Sequence, residues 1–304
     1  MFSQLRIAWI LLIILAFAVG CGQQTGELGS ASNPIKMAMV PSLDTNKLVL
    51  SGQKLAELLE KETGLKYEVS VPASYTAVIT AMGAGNVDVG WLPPVPYVMA
   101  HDKYGVEVVL VTVRNKSTKY WSYIIARTDT GINTLADLKG KRFAYGDPVS
   151  TSGAIYPKHL IRSSGFDPES YFSNVIFAGA HDRVIMAVYN KQVDGGAIYG
   201  GVGTDAREKV IGSLPDVLKK THVIAKSLEI PNDTVSVRKG MPPDVVKKIT
   251  DGLIKVAASD EGRITIMSLY GIDGFERTKD SDYNSVREVA KSENVQLEQI
   301  DKKK

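Results

Sequence analysis

Between residues 35 and 113, short apolar runs alternate with stretches whose apolar residues recur every three or four positions, and after Thr128 the alternation starts again. Residues 35–40 read as a strand. Leu55, Leu58 and Leu59 mark a helix that Gly64 stops, and residues 67–71 alternate like a strand. Val78, Ile79 and Met82 mark a second helix, and 87–91 and 106–113 read as further strands. A β-α-β-α-β order demands a mostly parallel sheet, because a parallel connection must cross over a face and the crossing helix then covers it. In the second series, strands are expected at 142–145, 175–177, 193–198 and 223–225, with helices at 153–162 and 183–189. Ile230-Pro231-Asn232-Asp233 interrupts, 234–237 is again strand-like, and Val245, Val246, Ile249, Leu253 and Val256 face one long helix after Pro242-Pro243. Further helices are expected at 261–269 and 283–293.

Two α/β lobes with a helical C-terminus can be tandem domains, or the chain can cross to the second lobe near 124–127 and return near 230–237. The double crossover is favoured, because the helices after Pro242 need a sheet to cover and the first lobe still has an open face. This predicts lobe 1 from residues 35–126 plus 234–304 and lobe 2 from 127–233. A twin hinge leaves a cleft between lobes, the usual place for a ligand in such an architecture.

The chain's first residues bear on location. Residues 7–19 form an unbroken apolar run after Arg6, shorter than the roughly 17–25 residues that span a bilayer. A basic start, a short apolar core and small residues at its end describe a secretory signal. The only cysteine follows directly in Ala18-Val19-Gly20-Cys21, which resembles a bacterial lipobox with Ala18 where Leu is preferred. The expectation is a signal peptide over 1–20, lipidation of Cys21, a Gly/Ser-rich flexible tether over 21–34, and an extracytoplasmic body held at the membrane. ATP and nicotinamide chemistry are disfavoured there, and no cofactor is expected. One cysteine excludes an intrachain disulfide and a cysteine-based metal centre. A net charge of +3 on 304 residues, with no Lys/Arg block interleaved with aromatics, argues against nucleic acid as a partner.

Candidate chemistry gathers at predicted helix starts. Ser150, Thr151 and Ser152, after Asp147-Pro148, open the helix expected at 153–162. Unpaired N–H groups and the positive end of the helix dipole, joined by three hydroxyls, make an anion cradle that needs no lysine. The alternative is an ordinary N-cap with spare hydroxyls. The P-loop spacing is absent. Tyr75 opens the first-lobe helix carrying Val78 and Met82, where it is a packing residue as readily as a ligand contact. His181 stands before the helix carrying Val184 and Ile185. The other histidines lack the spacing of a metal site, so none is expected. No Gly-x-Ser-x-Gly elbow supports a hydrolase. Trp91, Tyr97, Tyr120, Trp121 and Tyr199 fall at strand ends or helix starts, where they form cleft walls or core.

Several stretches together resemble the solute-binding proteins of phosphonate, phosphite and phosphate ABC transporters, of the phosphonate-binding type. They are the run from Tyr75 to Met82, Asp88-Val89-Gly90-Trp91-Leu92-Pro93-Pro94, Asp147-Pro148 with Ser150-Thr151-Ser152-Gly153, and His181-Asp182. Val193-Asp194-Gly195-Gly196-Ala197 and Ile230-Pro231-Asn232-Asp233 complete the set. The resemblance covers about residues 35–270. It implies a two-lobed type II periplasmic-binding-protein fold with a double-crossover hinge. It also implies a permease and its ATPase as partners, and no enzymatic activity. It implies that Tyr75, Ser150, Thr151, Ser152 and His181 hydrogen-bond a PO3 group. Asp233 would accept from a protonated ligand oxygen or meet a ligand amine, and as an acceptor it would exclude sulfate. Pro93 departs from the family's usual glycine. No carboxylate stands between Tyr199 and Gly203, which disfavours aminoethylphosphonate and favours phosphite, phosphate or a small phosphonate. A lipoprotein serving a membrane sensor kinase, and an enzyme on the same fold, are the alternatives.

Overall fold

The computed structural model describes residues 26–295, so the predicted signal peptide and Cys21 lie outside the described residues. Two mixed α/β lobes each hold one open sheet.

The first sheet contains β1 (Ile35–Met39), β2 (Tyr67–Ser70), β3 (Val89–Leu92), β4 (Glu107–Val113), β11 (Thr234–Val237) and β12 (Gly274–Arg277), in the order β12-β4-β11-β3-β1-β2. β1 runs parallel to β2 and β3, and β11 lies antiparallel between β3 and β4. Helix α1 (Thr45–Thr63) begins where Asp44 accepts from the Lys47 N–H and ends at Gly64, whose positive φ lets its N–H reach the Glu60 carbonyl. α2 (Tyr75–Gly83) and α3 (Pro94–Tyr104) complete the first βαβ series. α7 (Pro243–Ala258) and α8 (Asp260–Tyr270) cover the face that also receives α1, around Leu55, Leu59, Ile249, Leu253 and Ile266.

The second sheet holds β5 (Lys119–Arg127), β6 (Arg142–Tyr145), β7 (Asn174–Phe177), β8 (Gly195–Gly200), β9 (Thr221–Lys226) and β10 (Ile230–Pro231). β5 pairs antiparallel with β8, β9 and β10, whereas β6 is parallel to β7 and β8. α4 (Tyr156–Ser163) and α5 (His181–Tyr189) flank it, with a one-turn α6 (Val217–Lys220) before β9. The last helix, α9 (Asn284–Ser292), puts Val286 and Val289 into a hydrophobic cluster that also contains Tyr97 and Val98 of the first lobe and Tyr120, Ile155 and Ile161 of the second.

Two expectations are corrected. The first crossing is not at 124–127: β5 already belongs to the second sheet, so the chain crosses in the turn Arg114–Ser117, where Asn115 and Lys116 both take positive φ. Nine residues of strand-like sequence before Thr128 carry no mark of which sheet they join. Nor is the segment 21–34 a free tether throughout its described part. The Lys66 N–H donates to the Gly29 carbonyl, Asn33 side-chain N–H donates to the Gly26 carbonyl, and Leu28 packs against the α1 core. The polar composition of 26–34 hides one anchoring leucine.

Candidate functional site

A small cavity lies between the lobes, lined by Ser42, Leu43, Tyr75, Pro93, Arg114, Tyr120, Ser150, Ser152, His181, Tyr199, Asp233 and Tyr270. Its volume is about 30 Å³ as traced by the centre of a water-sized sphere. One water needs roughly 10–15 Å³ by that measure, so the space suits a ligand headgroup of a few atoms.

Strand ends and helix starts build it. Ser42 follows β1 and Pro93 follows β3, both at carboxyl ends of parallel strands, where α/β sheets present their ligand sites. Tyr75 is the first residue of α2, whose N-cap Ser74 accepts from the Ala77 N–H. Ser150 caps the next start: its Oγ accepts from the Gly153 N–H at 3.1 Å, so its own O–H remains to donate. The helix opens with a π-turn over Thr151–Ile155, the Ile155 N–H reaching back to the Ser150 carbonyl at 3.0 Å; such turns often mark functional sites. Gly153 does not open the backbone to a ligand. Its carbonyl accepts from the Gly146 N–H, and a Cβ there would meet Ser150 Oγ at 2.8 Å and Gly146 Cα at 3.2 Å, so glycine serves the approach of turn to strand end. His181 is the first residue of α5, and its ring stands at 90° to that of Tyr199.

The sequence-predicted residues Tyr75, Tyr120, Ser150, Ser152, His181 and Asp233 all line this cavity, and Tyr199 joins them. Four others do not. Thr151 is fully buried, its Oγ1 accepting from the Val95 N–H of α3 at 2.9 Å, a contact between lobes. Trp91 packs on the far side of the first sheet against Tyr270 and Phe275, with its indole N–H on Met37 Sδ. Successive strand residues face opposite ways, which turns Trp91 from the cleft; for the same reason Tyr120 enters the cavity while Trp121 turns to the ammonium of Lys226. Tyr97 donates to Asp280 Oδ1 and packs edge-on against Tyr283.

Sequence reasoning missed Ser42, Leu43, Pro93, Arg114 and Tyr270. Arg114 directly follows β4 and makes three hydrogen bonds: Nη2 to Asp233 Oδ2 at 2.6 Å, Nη1 to Asn232 Oδ1 at 3.0 Å and Nε to the Tyr270 carbonyl at 3.1 Å. Asp233 is therefore paired through Oδ2 with a resident cation, a partner its expected role as acceptor for a ligand oxygen or amine did not include. Only the end-of-strand position hinted at Arg114, and that position equally describes an ordinary hairpin residue.

The cavity is donor-rich and its charges balance. Burial raises the hydroxyls of Tyr75, Tyr120, Tyr199 and Tyr270 far above the usual phenol range, so all four keep their protons. Burial also pushes His181 down to about 4, against the pull of a hydrogen bond to the Ala197 backbone and helped by the positive charge of Arg114. The imidazole is neutral at neutral pH. Its Nδ1 and the Tyr199 hydroxyl are buried without a hydrogen-bond partner among the described residues. Leaving such a group unpaired costs roughly 1–3 kcal/mol. No group of three or more histidine, cysteine, aspartate or glutamate side chains is placed to hold a metal ion among the described residues.

Three hydrogen bonds join the lobes beside this space: Thr151 with Val95, the His181 N–H to the Ser42 carbonyl at 3.0 Å, and the Tyr75 N–H to Asp147 Oδ2 at 3.3 Å.

Comparison with known proteins gives the family and the fold. The family of periplasmic substrate-binding proteins of phosphonate ABC transporters matches residues 37–283. The phosphonates-binding periplasmic protein of Escherichia coli is 31% identical over 76% of this chain and 68% of its own. A phosphate-import protein of Mycolicibacterium smegmatis is 31% identical over 84% of each chain. Among solved structures, a binding component of a phosphonate ABC transporter from Pseudomonas aeruginosa superposes with a TM-score of 0.77 at 25% identity, covering 86% of this chain and 87% of its own. A Prochlorococcus marinus protein solved with methylphosphonate shares the fold, with a TM-score of 0.76 at 17% identity over 86% and 98% of the two chains. The chain belongs to this family of ABC-importer substrate-binding proteins, and its fold is theirs.

Proposed function

We propose that this family member captures a small phosphorus oxyanion (phosphite, phosphate or a compact phosphonate) in the cavity between its lobes and presents it to a permease and its ATPase. The observation that carries the reading is the pair of buried, unpartnered polar atoms, His181 Nδ1 and Tyr199 Oη, on two residues that line a space with room for a headgroup. A ligand that pairs with both recovers the cost of their desolvation. Hydroxyls of Tyr75, Tyr120, Ser150 and Ser152 supply donors to the PO3 oxygens, with the helix start after Ser150 adding its dipole. Neither a metal nor a catalytic nucleophile is required, so the role is binding without chemistry.

Selectivity follows from the neutral imidazole. Its free nitrogen is an acceptor, since the histidine proton is engaged elsewhere. A singly protonated phosphorus oxyanion can donate to it, whereas sulfate has no proton at neutral pH and would set lone pair against lone pair. Calorimetric titration with phosphite, phosphate, methylphosphonate and sulfate tests this. The phosphorus ligands are expected to bind at least ~100-fold tighter than sulfate, as buried polar mismatches permit; equal binding of sulfate would refute the reading.

Anchoring is the second part of the proposal. The apolar run before Cys21 supports cleavage and lipidation there, leaving the body tethered outside the cytoplasm. Mass spectrometry of the mature N-terminus is expected to show a diacylated or triacylated Cys21, and an unmodified N-terminus would refute it. Among the described residues no helix is long and apolar enough to cross a membrane.

A further inference from the structure

A carboxylate in the wall of an anion site needs explaining. Asp233 lines the cavity, yet a negative charge there repels an oxyanion. The resolution is Arg114. It is largely buried at 14% side-chain exposure, lines the same cavity, and holds Asp233 at 2.6 Å while Asn232 and the Tyr270 carbonyl fix the rest of its fork. A planar guanidinium fixed by three acceptors is an oriented part of the wall, unlike a lysine that can swing away.

We infer that Arg114 is a built-in counter-ion that occupies the carboxylate of Asp233 and thereby denies the cavity an ammonium-binding position, making it selective for phosphorus oxyanions without an amine. The inference rests on the phosphorus-oxyanion reading and adds the determinant of its substituent. A ligand ammonium entering this space would meet a cation already seated on the acid. The first carboxylate after Tyr199 in the chain, Asp205, is bound to Arg207 at 2.7 Å and does not line the cavity. Among the lining residues Asp233 is the only acid and Arg114 the only fixed cation, so the pair leaves the cavity with no net charge. The other titratable lining groups are the four phenols and neutral His181, and none offers a negative charge to an amine.

The test is calorimetric titration at pH 7 with methylphosphonate and with 2-aminoethylphosphonate. The wild-type protein should prefer methylphosphonate by about tenfold or more. Arg114→Met removes the cation and leaves Asp233 open, so the preference should shift at least ~10-fold toward the aminated ligand. Arg114→Met with Asp233→Asn should cancel that shift, and because it leaves no uncompensated buried charge it controls for any loss of folding in the single variant. Asp233→Asn alone frees the guanidinium toward the ligand, and the preference should move further against the amine. An Arg114→Met variant that weakens both ligands equally would overturn the inference, as would a wild-type protein that prefers the aminated ligand. If the wild type binds neither compound nor phosphite, the phosphorus-oxyanion reading itself fails and takes this inference with it.

Discussion

His181 shows how one residue links stability to the site. Its folded-state pKa is depressed to about 4 from an ordinary 6.5, chiefly by burial. The stabilising contribution is therefore complete above about 6.5 and is lost as the pH falls toward about 4, because the unfolded chain takes up a proton that the folded chain refuses. The loss over that window should be roughly 3 kcal/mol. Urea unfolding at pH 7 and pH 4.5 should show that His181→Asn flattens this acid limb; an unchanged limb would mean that the ring is solvated in solution. The residue's presence near a helix start was legible from Ala180-His181-Asp182. Its protonation state was not, because that depends on burial first and then on the Ala197 backbone and the charge of Arg114, which the local sequence does not reveal. The aromatic residues make the same point in reverse. Trp91 and Tyr120 both look like wall residues, and only the strand's alternation sends one to the core and the other to the cavity.

At the scale of elements, α3 starts in an unusual way. Pro94 and Pro96 have no N–H, so Val95 carries the first-turn donor, and the hydroxyl that satisfies it comes from Thr151 in the other lobe. A capping bond of this kind is worth about 1 kcal/mol. Thr151→Val should therefore weaken ligand binding by roughly fivefold, through faster dissociation and not slower association, with Thr151→Ser restoring most of it. Stopped-flow release kinetics would check this, and an unchanged dissociation rate would show that the bond does not hold the lobes. The three-hydroxyl run was readable as a helix start, but its division of labour was not: the π-turn sends Ser150 and Ser152 to the cavity and Thr151 to the neighbouring lobe. Periodicity also failed for α3, whose Pro-Val-Pro start and fully buried first two turns show no polar face to read.

For the whole molecule, the double crossing followed from helices in need of a sheet after Pro242, whereas its position did not, since a strand of Tyr, Ile and Ala suits either sheet. The two crossings touch: the Asn232 N–H donates to the Thr118 carbonyl, and Asn232 Nδ2 to that of Ser117. α9 then lies over this junction. The Tyr283 hydroxyl just before it reaches the Asn232 carbonyl, Arg287 holds Asp102 of the first lobe at 2.9 Å, and Glu293 just after it holds Arg162 of the second at 3.2 Å. The helix belongs to neither lobe alone, and the hydrophobic cluster it joins runs through both. That arrangement couples the lobes in unfolding. Loss of either lobe would strip part of the apolar face of α9, so the two are expected to melt together. Differential scanning calorimetry should give one transition with matching calorimetric and van't Hoff enthalpies, and two resolved peaks would contradict it. Two lobes tied in this way are expected to behave as a single cooperative unit, so a ligand captured between them would stabilise residues at the far edges of both sheets along with those that touch it.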